Sequence, residues 1–272
     1  EYLSSTPKYN LLYEAFGWDI PTYIHLPLIM GKDADGNVSK LSKRHGATGF
    51  YDLIDEGYLP EAIINYIALL GWCPKDNQEI FTLKELEKAF DISGISKSPA
   101  VFDYDKLSWF NGEYIKAMTP EKFTEVAMPY YKKVFGDKQM PYEKFAAILQ
   151  KRTTQLTQIP EMLDFFAELP SYTKELFVNK KSKTNLENSP VVLKEAYDRL
   201  KAMPEWNETS IHDCLINMAV EKELKNGTVM WPVRIAAAGK TVTPGGAVEI
   251  LDILGRDESL ARLEKGMAIL AE

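Results

Sequence analysis

The sequence predicts a mainly α-helical chain with a small β-hairpin at its front. Three observations carry that expectation. Apolar residues recur at helical spacing from about residue 50 onward. The breaks between those runs hold Pro, Gly, Ser and Thr where helix starts and stops need them. Turn chemistry flanked by short strand-like runs occurs at Asp35-Gly36, a hairpin dipeptide.

Taken in order, Leu11, Leu12, Ala15 and Phe16 repeat at helical spacing, and Gly17 follows as a stop. Residues 23–30 are apolar and extended-looking, residues 31–37 are turn-forming, and a second strand over residues 38–41 returns from the turn. Pro60 fits a first helical turn, Ile63, Ile64, Ile67 and Leu70 form an apolar face, and Gly71 closes that helix. Thr82-Leu83-Lys84-Glu85 is a capping box, with Phe81 and Leu86 placed as a hydrophobic staple. Thr119-Pro120 starts a helix with Phe123, Val126, Ala127 and Tyr130 inward, which Pro129 is expected to kink or split. Pro141 opens a helix with Phe145, Ile148 and Leu149, and Ser189-Pro190 opens one with Leu193, Ala196, Tyr197 and Leu200. Ile211, Cys214, Leu215 and Met218 mark another. Two short helices follow, Ala247–Leu254 stopped by Gly255 and one over residues 260–270. Residues 178–185, polar and basic without periodicity, read as a linker, and another boundary falls near residues 112–119.

At 272 residues the chain has room for two or three modules. A hydrophobic content of 45% argues for packed cores and against disorder. No apolar run reaches the roughly 18 residues that cross a bilayer, and the first residues lack a signal-peptide pattern, so no membrane association is predicted. The chain opens on Glu1, not Met, which predicts a start inside a longer polypeptide or a processed one. Cys73 and Cys214 lie far apart, and His25, His45 and His212 are scattered, so no zinc site is expected. Few cysteines fit a reducing cytoplasm. A net charge of −7 argues by itself against nucleic acid, because Lys and Arg drive phosphate binding. A basic face on an acidic protein escapes that argument.

The chemistry-bearing segment is Lys40-Leu41-Ser42-Lys43-Arg44-His45-Gly46. Two lysines three apart, on a strand end and the loop after it, suit a loop that folds over polyphosphate. Their ammonium groups can neutralise charge that develops on an attacked α-phosphate and on departing pyrophosphate. The plain alternative is a solvated basic turn, since short basic runs are common.

The flanks add to this reading. Ser5-Thr6-Pro7-Lys8, Leu12-Tyr13-Glu14-Ala15-Phe16-Gly17-Trp18 and His25-Leu26-Pro27-Leu28 precede the loop. Gly57-Tyr58-Leu59-Pro60-Glu61-Ala62, Asn65-Tyr66, Leu69-Leu70-Gly71-Trp72, Phe102-Asp103, Lys106-Leu107 and Trp109-Phe110-Asn111-Gly112 follow it. Trp231-Pro232-Val233-Arg234 and Ile250-Leu251-Asp252-Ile253-Leu254-Gly255 lie near the far end. Together these resemble the bacterial-type glutamyl-tRNA synthetases, a class I aminoacyl-tRNA synthetase family whose signature loop takes the KLSKR form. The resemblance is dense over residues 1–115, thin over residues 116–225 and moderate beyond.

The resemblance implies three parts. Residues 1–49 would be a hairpin remnant of a Rossmann-type catalytic domain, residues 50–115 a helical stem-contact domain, and residues 116–272 an all-α anticodon-binding region with a break near 178–189. Lys43 and Lys40 match the signature lysines and become the catalytic candidates, with Lys43 the main phosphate contact. Arg44, which stands where other class I enzymes carry Ser, joins the two lysines as a candidate ATP contact. Leu28, Ile29 and Met30 either line an adenine pocket or are plain buried strand. Candidate tRNA contacts are Lys180, Lys181, Lys183, Lys132, Lys133, Lys151, Arg152 and Arg234. Arg234 has a rival role, buttressing the packing beside Trp231 and Pro232.

The implied substrates are ATP with Mg2+, glutamate and tRNA(Glu), with tRNA(Gln) left open, and the implied assembly is a monomer. The family's paired-histidine HIGH motif and the residues that hold glutamate are absent from the chain, so it is expected to be inactive alone while keeping tRNA binding. Two readings compete: a helical RNA-binding or scaffold module with no catalytic history, and a general helical interaction domain with an acidic surface.

Overall fold

A computed structural model describes residues 2–46 and 49–271. The chain divides into two compact units, Glu1–Ala117 with Thr154–Leu156, and Met118–Thr153 with Thr157–Glu272.

The first unit opens with helix α1 (Thr6–Phe16), which Gly17 ends in the left-handed region at φ 67°, where glycine avoids a Cβ clash. No α1 residue is buried. The apolar run that follows joins a sheet only at its end, in β1 (Ile29–Lys32). β2 (Val38–Lys40) returns antiparallel to β1 with Met30 opposite Lys40, Gly31 opposite Ser39 and Lys32 opposite Val38. In the turn between them Asp33 Oδ1 accepts the Asn37 backbone N–H at 2.8 Å, which holds the Asp33 carboxyl below its usual range.

Helices α2 (Phe50–Asp55), α3 (Pro60–Gly71) and α4 (Leu83–Ala89) follow. The short strand β3 (Ala100–Val101), which the periodicity does not announce, pairs parallel to β1 and gives the sheet order β2-β1-β3. Helix α5 (Tyr104–Ala117) completes the unit. Leu53, Tyr58, Ile63, Tyr66, Phe102, Leu107 and Phe110 form its core.

The inward face of α3 is Ala62, Ile63 and Tyr66, while Ile64 and Ile67 are exposed, a rotation from the expected face. The capping box forms as read: Thr82 N–H donates to Glu85 Oε2 at 2.7 Å, Glu85 N–H donates to Thr82 Oγ1 at 3.3 Å, and Phe81 and Leu86 share a core with Trp72. Asn111 sits fully buried in α5 because its amide meets three backbone groups, Leu59 N–H at 2.8 Å, Gly57 O at 3.3 Å and Thr154 O at 2.6 Å.

The second unit is built of α6 (Pro120–Phe135), α7 (Tyr142–Leu149), α8 (Ile159–Ala167), α9 (Asn188–Ala202), α10 (Glu208–Glu221), α11 (Asn226–Ala238), α12 (Ala247–Leu254) and α13 (Arg256–Ala271). Pro129 does not split α6. Its ring faces solvent, where water can serve the Glu125 carbonyl that it leaves without a backbone donor. Phe123, Ala127, Tyr131 and Phe135 are the buried residues of this helix. α6 packs on α7 and α8, with Phe145 ringed by Tyr131, Phe135 and Phe166. α9, α11 and α13 pack on one another, and α10 and α12 pack on α11.

Arg262, 4% exposed, ties three helices. Its Nη1 donates to Phe165 O at 2.7 Å and Ala237 O at 2.9 Å, late carbonyls of α8 and α11 that lack an intrahelical donor. Residues 178–185 are not a loose linker. Asn179 and Thr184 bridge antiparallel, Ser182 N–H donates to Asn179 Oδ1 at 2.9 Å, and Thr228 Oγ1 donates to Ser182 O at 2.7 Å. The polarity of the segment serves these turn bonds. Among the described residues no helix is long and apolar enough to cross a membrane.

Candidate functional site

In the first unit the basic loop grows from the end of the hairpin. Leu41 N–H donates to Ile29 O at 3.0 Å, one step beyond the β1–β2 register, so the pairing carries the chain up to the loop. Lys40 is the last residue of β2 and is exposed. Ser42 is extended at φ −154° and caps a single 3-10 turn, Lys43–His45. Lys43 is the first residue of that turn, exposed, and makes no ion pair among the described residues. The Arg44 side chain lies outside the described residues.

A cleft of about 560 Å³ opens beside the hairpin, lined by Leu28, Ile29, Lys40 and Leu41 together with Tyr2 and residues 24–27. It brings Leu28, Ile29 and Lys40 together but not Met30 or Lys43. Ile29 lies in β1, is partly buried against the unit's core and also lines this cleft. The lining is mostly apolar and includes one ammonium group, that of Lys40. Among the described residues no group of three or more His, Cys, Asp or Glu is placed to hold a metal ion.

The second unit carries two charged features. One is the bridged turn, which projects Lys180, Lys181 and Lys183 outward while Ser182 points in. Lys183 adopts φ 55°, and Asn188 Nδ2 holds its carbonyl at 2.9 Å. None of the three lysines makes an ion pair among the described residues, whereas Lys122, Lys144, Lys194, Lys222 and Lys240 are each paired with a carboxylate.

The other feature is a cleft of about 300 Å³ lined by Lys151, Arg152, Lys144, Glu208, Glu249 and Asp252 among others. Arg152 follows the end of α7, its N–H donating to Leu149 O at 2.8 Å. Lys144 and Asp252 pair across the cleft at 2.8 Å.

Arg234 is half-buried on α11. Its Nη2 donates to Thr241 O at 3.0 Å and its Nη1 to Thr243 Oγ1 at 3.4 Å, with the guanidinium 4.6 Å over the Trp231 ring. It thus buttresses the loop into α12. Burial, with the Arg152 charge adding to it, pushes the Arg234 guanidinium below its usual value.

Lys132 and Lys133 lie in the last turn of α6, where positive charge suits the helix dipole, and Lys133 sits over the Tyr130 ring at 5.0 Å. Sequence reasoning missed Lys144, Glu208, Glu249 and Asp252, which reach one cleft from α7, α10 and α12 and share no local pattern. It also passed over His45, which sits directly after the signature residues.

Comparisons with known proteins add to this geometry. Residues 1–109 match the family described as tRNA synthetases class I (E and Q), catalytic domain, and residues 122–267 match the anticodon binding domain family. The glutamate–tRNA ligase of Clostridium kluyveri is 53% identical over 267 residues, 98% of this chain and 54% of that protein. That of Clostridium tetani is 52% identical over the same shares. The crystal structure of a glutamate tRNA ligase from Elizabethkingia meningosepticum in complex with its amino acid superposes with a TM-score of 0.80 at 30% identity, covering 99% of this chain and 56% of that one. The chain spans about half the length of the curated relatives it matches.

Proposed function

The chain belongs to the glutamate–tRNA ligase family, and on that premise we propose that it supplies the signature loop and the tRNA-reading helices of an enzyme that activates glutamate with ATP and transfers it to the 3′ end of tRNA. The observation that carries the catalytic part is the cleft beside the hairpin, where Leu28, Ile29 and Lys40 share one wall at the root of the loop that presents Lys43. Leu28 and Ile29 receive the adenine, and Met30 continues the strand beneath it. Lys43 and Lys40 act when the glutamate carboxylate attacks the α-phosphorus and the bond to pyrophosphate breaks. Their charge offsets what builds up on the phosphate oxygens. Mg2+ travels with the nucleotide phosphates, as is usual for that ion.

Residues 50–115 contact the acceptor stem and residues 116–272 the anticodon arm, with one chain acting per tRNA(Glu). The lysine turn at Lys180, Lys181 and Lys183 meets phosphate, where point charges suffice. The cleft at Lys151 and Arg152 suits a base edge, because it offers cationic donors beside the carboxylate acceptors Glu208, Glu249 and Asp252. Arg234 holds Thr241 and Thr243 in the loop that leads to Pro244 of that cleft.

Titrating the 272-residue chain with tRNA(Glu) and tRNA(Gln) at two salt concentrations tests the RNA-binding part. Binding that weakens steeply with salt is expected, and no binding at low salt overturns it. The tRNA(Gln) arm decides between a discriminating and a two-substrate enzyme. Pyrophosphate exchange tests the catalytic part. In the full-length enzyme Lys43→Ala is expected to lower the exchange rate by about 100-fold or more while glutamate affinity stays within about twofold, the pattern of a transition-state contact. The 272-residue chain alone is expected to give no exchange.

A further inference from the structure

We propose that His45 is the positioning residue that sets both signature lysines, by gripping the residue immediately before each of them. The inference rests on the ligase reading for its catalytic consequence, but its geometry stands apart from it. His45 is half-buried, and each ring nitrogen has a partner. Nδ1 lies 3.0 Å from the Ser42 backbone nitrogen, and Nε2 lies 3.2 Å from Ser39 Oγ. Ser39 precedes Lys40 and Ser42 precedes Lys43, so one imidazole spans the two attachment points.

The ring also lies flat against β1. A Cβ placed on Gly31 would sit 2.5 Å from His45 Cγ and 2.8 Å from Cδ2 and Nδ1, so only glycine leaves room there. Gly31 pairs with Ser39 in the hairpin register, which places both under the same ring. Three elements thus converge on His45: β1 through Gly31, β2 through Ser39 and the loop through Ser42.

The bonding assigns a tautomer. The Ser42 N–H is a fixed backbone donor, so Nδ1 must be the bare, accepting nitrogen. Nδ1 also lies 3.1 Å from Ser42 O and 3.2 Å from Ser42 Oγ, but Ser42 O already accepts the His45 backbone N–H at 2.9 Å, whereas the Ser42 N–H finds its acceptor in Nδ1. The proton therefore sits on Nε2 and is donated to Ser39 Oγ. The neutral ring works as a two-ended strut. Without it, Lys40 and Lys43 keep their charges but lose a shared backbone reference, and the freedom they regain opposes simultaneous contact with polyphosphate.

The first test uses the 272-residue chain. With only three histidines, 15N-histidine spectra at pH 8 are assigned by the signal lost in His45→Asn. An unprotonated Nδ1 and a protonated Nε2 are expected at His45; the opposite tautomer overturns the proposal. The second test measures pyrophosphate exchange in the full-length enzyme for His45→Leu, which fills the space without an acceptor, and His45→Asn, whose amide oxygen takes the place of Nδ1. His45→Leu is expected to lower kcat by about 10–100-fold, the effect of leaving the part-buried Ser42 N–H without an acceptor in the reacting geometry. Its KM for glutamate stays within about twofold, and His45→Asn restores most of the loss. Full activity in His45→Leu, or no advantage of Asn over Leu in variants with wild-type unfolding midpoints, overturns it. A wild-type enzyme with no exchange at all would sink the ligase reading, while the tautomer result would still decide the strut.

Discussion

Helices α1 and α11 are of similar length, 11 and 13 residues, and both carry a Pro and a run of apolar residues, yet they live under opposite conditions. α11 buries Thr228, Val229, Pro232, Val233, Ile235, Ala236, Ala237 and Ala238, whereas α1 buries nothing and leaves Leu11, Leu12 and Phe16 at 63%, 56% and 65% exposure. Trp18, Ile20, Ile24 and Leu26, which follow α1 in the chain, are exposed as well. Helix propensity alone rarely holds a short helix in water; tertiary burial does. α11 draws its order from its own unit. α1 finds no such burial within its own unit.

The contrast can be broken most directly in the cores. Phe145→Ala, in a fully buried ring cluster, is expected to destabilise the second unit by about 3–5 kcal/mol in urea unfolding. Phe16→Ala is expected to change stability by less than about 0.5 kcal/mol. Equal effects would refute the comparison. Next in size is amide exchange in the isolated chain. α1 amides are expected to exchange at least on the order of 100-fold faster than those of α11, because local opening follows burial. Equal protection would show that α1 has a source of order that its exposure does not reveal. The smallest effect is at the helix starts. Asn207 Oδ1 accepts the Ser210 N–H at 2.9 Å, while Ser5 before α1 makes no side-chain cap bond. Asn207→Ala is expected to cost about 1 kcal/mol, and Ser5→Ala close to nothing, by thermal unfolding.

What was legible in the sequence follows the same division between local and distant causes. α12 ends where Gly255 predicted, and the inward face of α9 came out as its spacing implied, because both depend on residues within a turn or two of each other. α5 and α11 escaped notice. Asn111-Gly112 resembles a break until Asn111 is seen answering groups on residues 57, 59 and 154, and Pro232 resembles a stop although it is buried inside a continuous helix. Residues 178–185 resembled a tether for the same reason, since the donor that closes their turn is Thr228. The KLSKR loop was readable through its neighbours in the chain. The cleft at Arg152 was not, because its acidic wall arrives from residues 208, 249 and 252.

Arg262 carries a consequence in time. It meets Phe165 O across 97 positions of sequence. At the usual pace of about 5–20 residues per second, a ribosome needs roughly 5–20 seconds to make that stretch. For that interval the nascent chain holds the end of α8 without its donor. Vectorial synthesis therefore leaves the three-helix tie among the last bonds of the second unit to close.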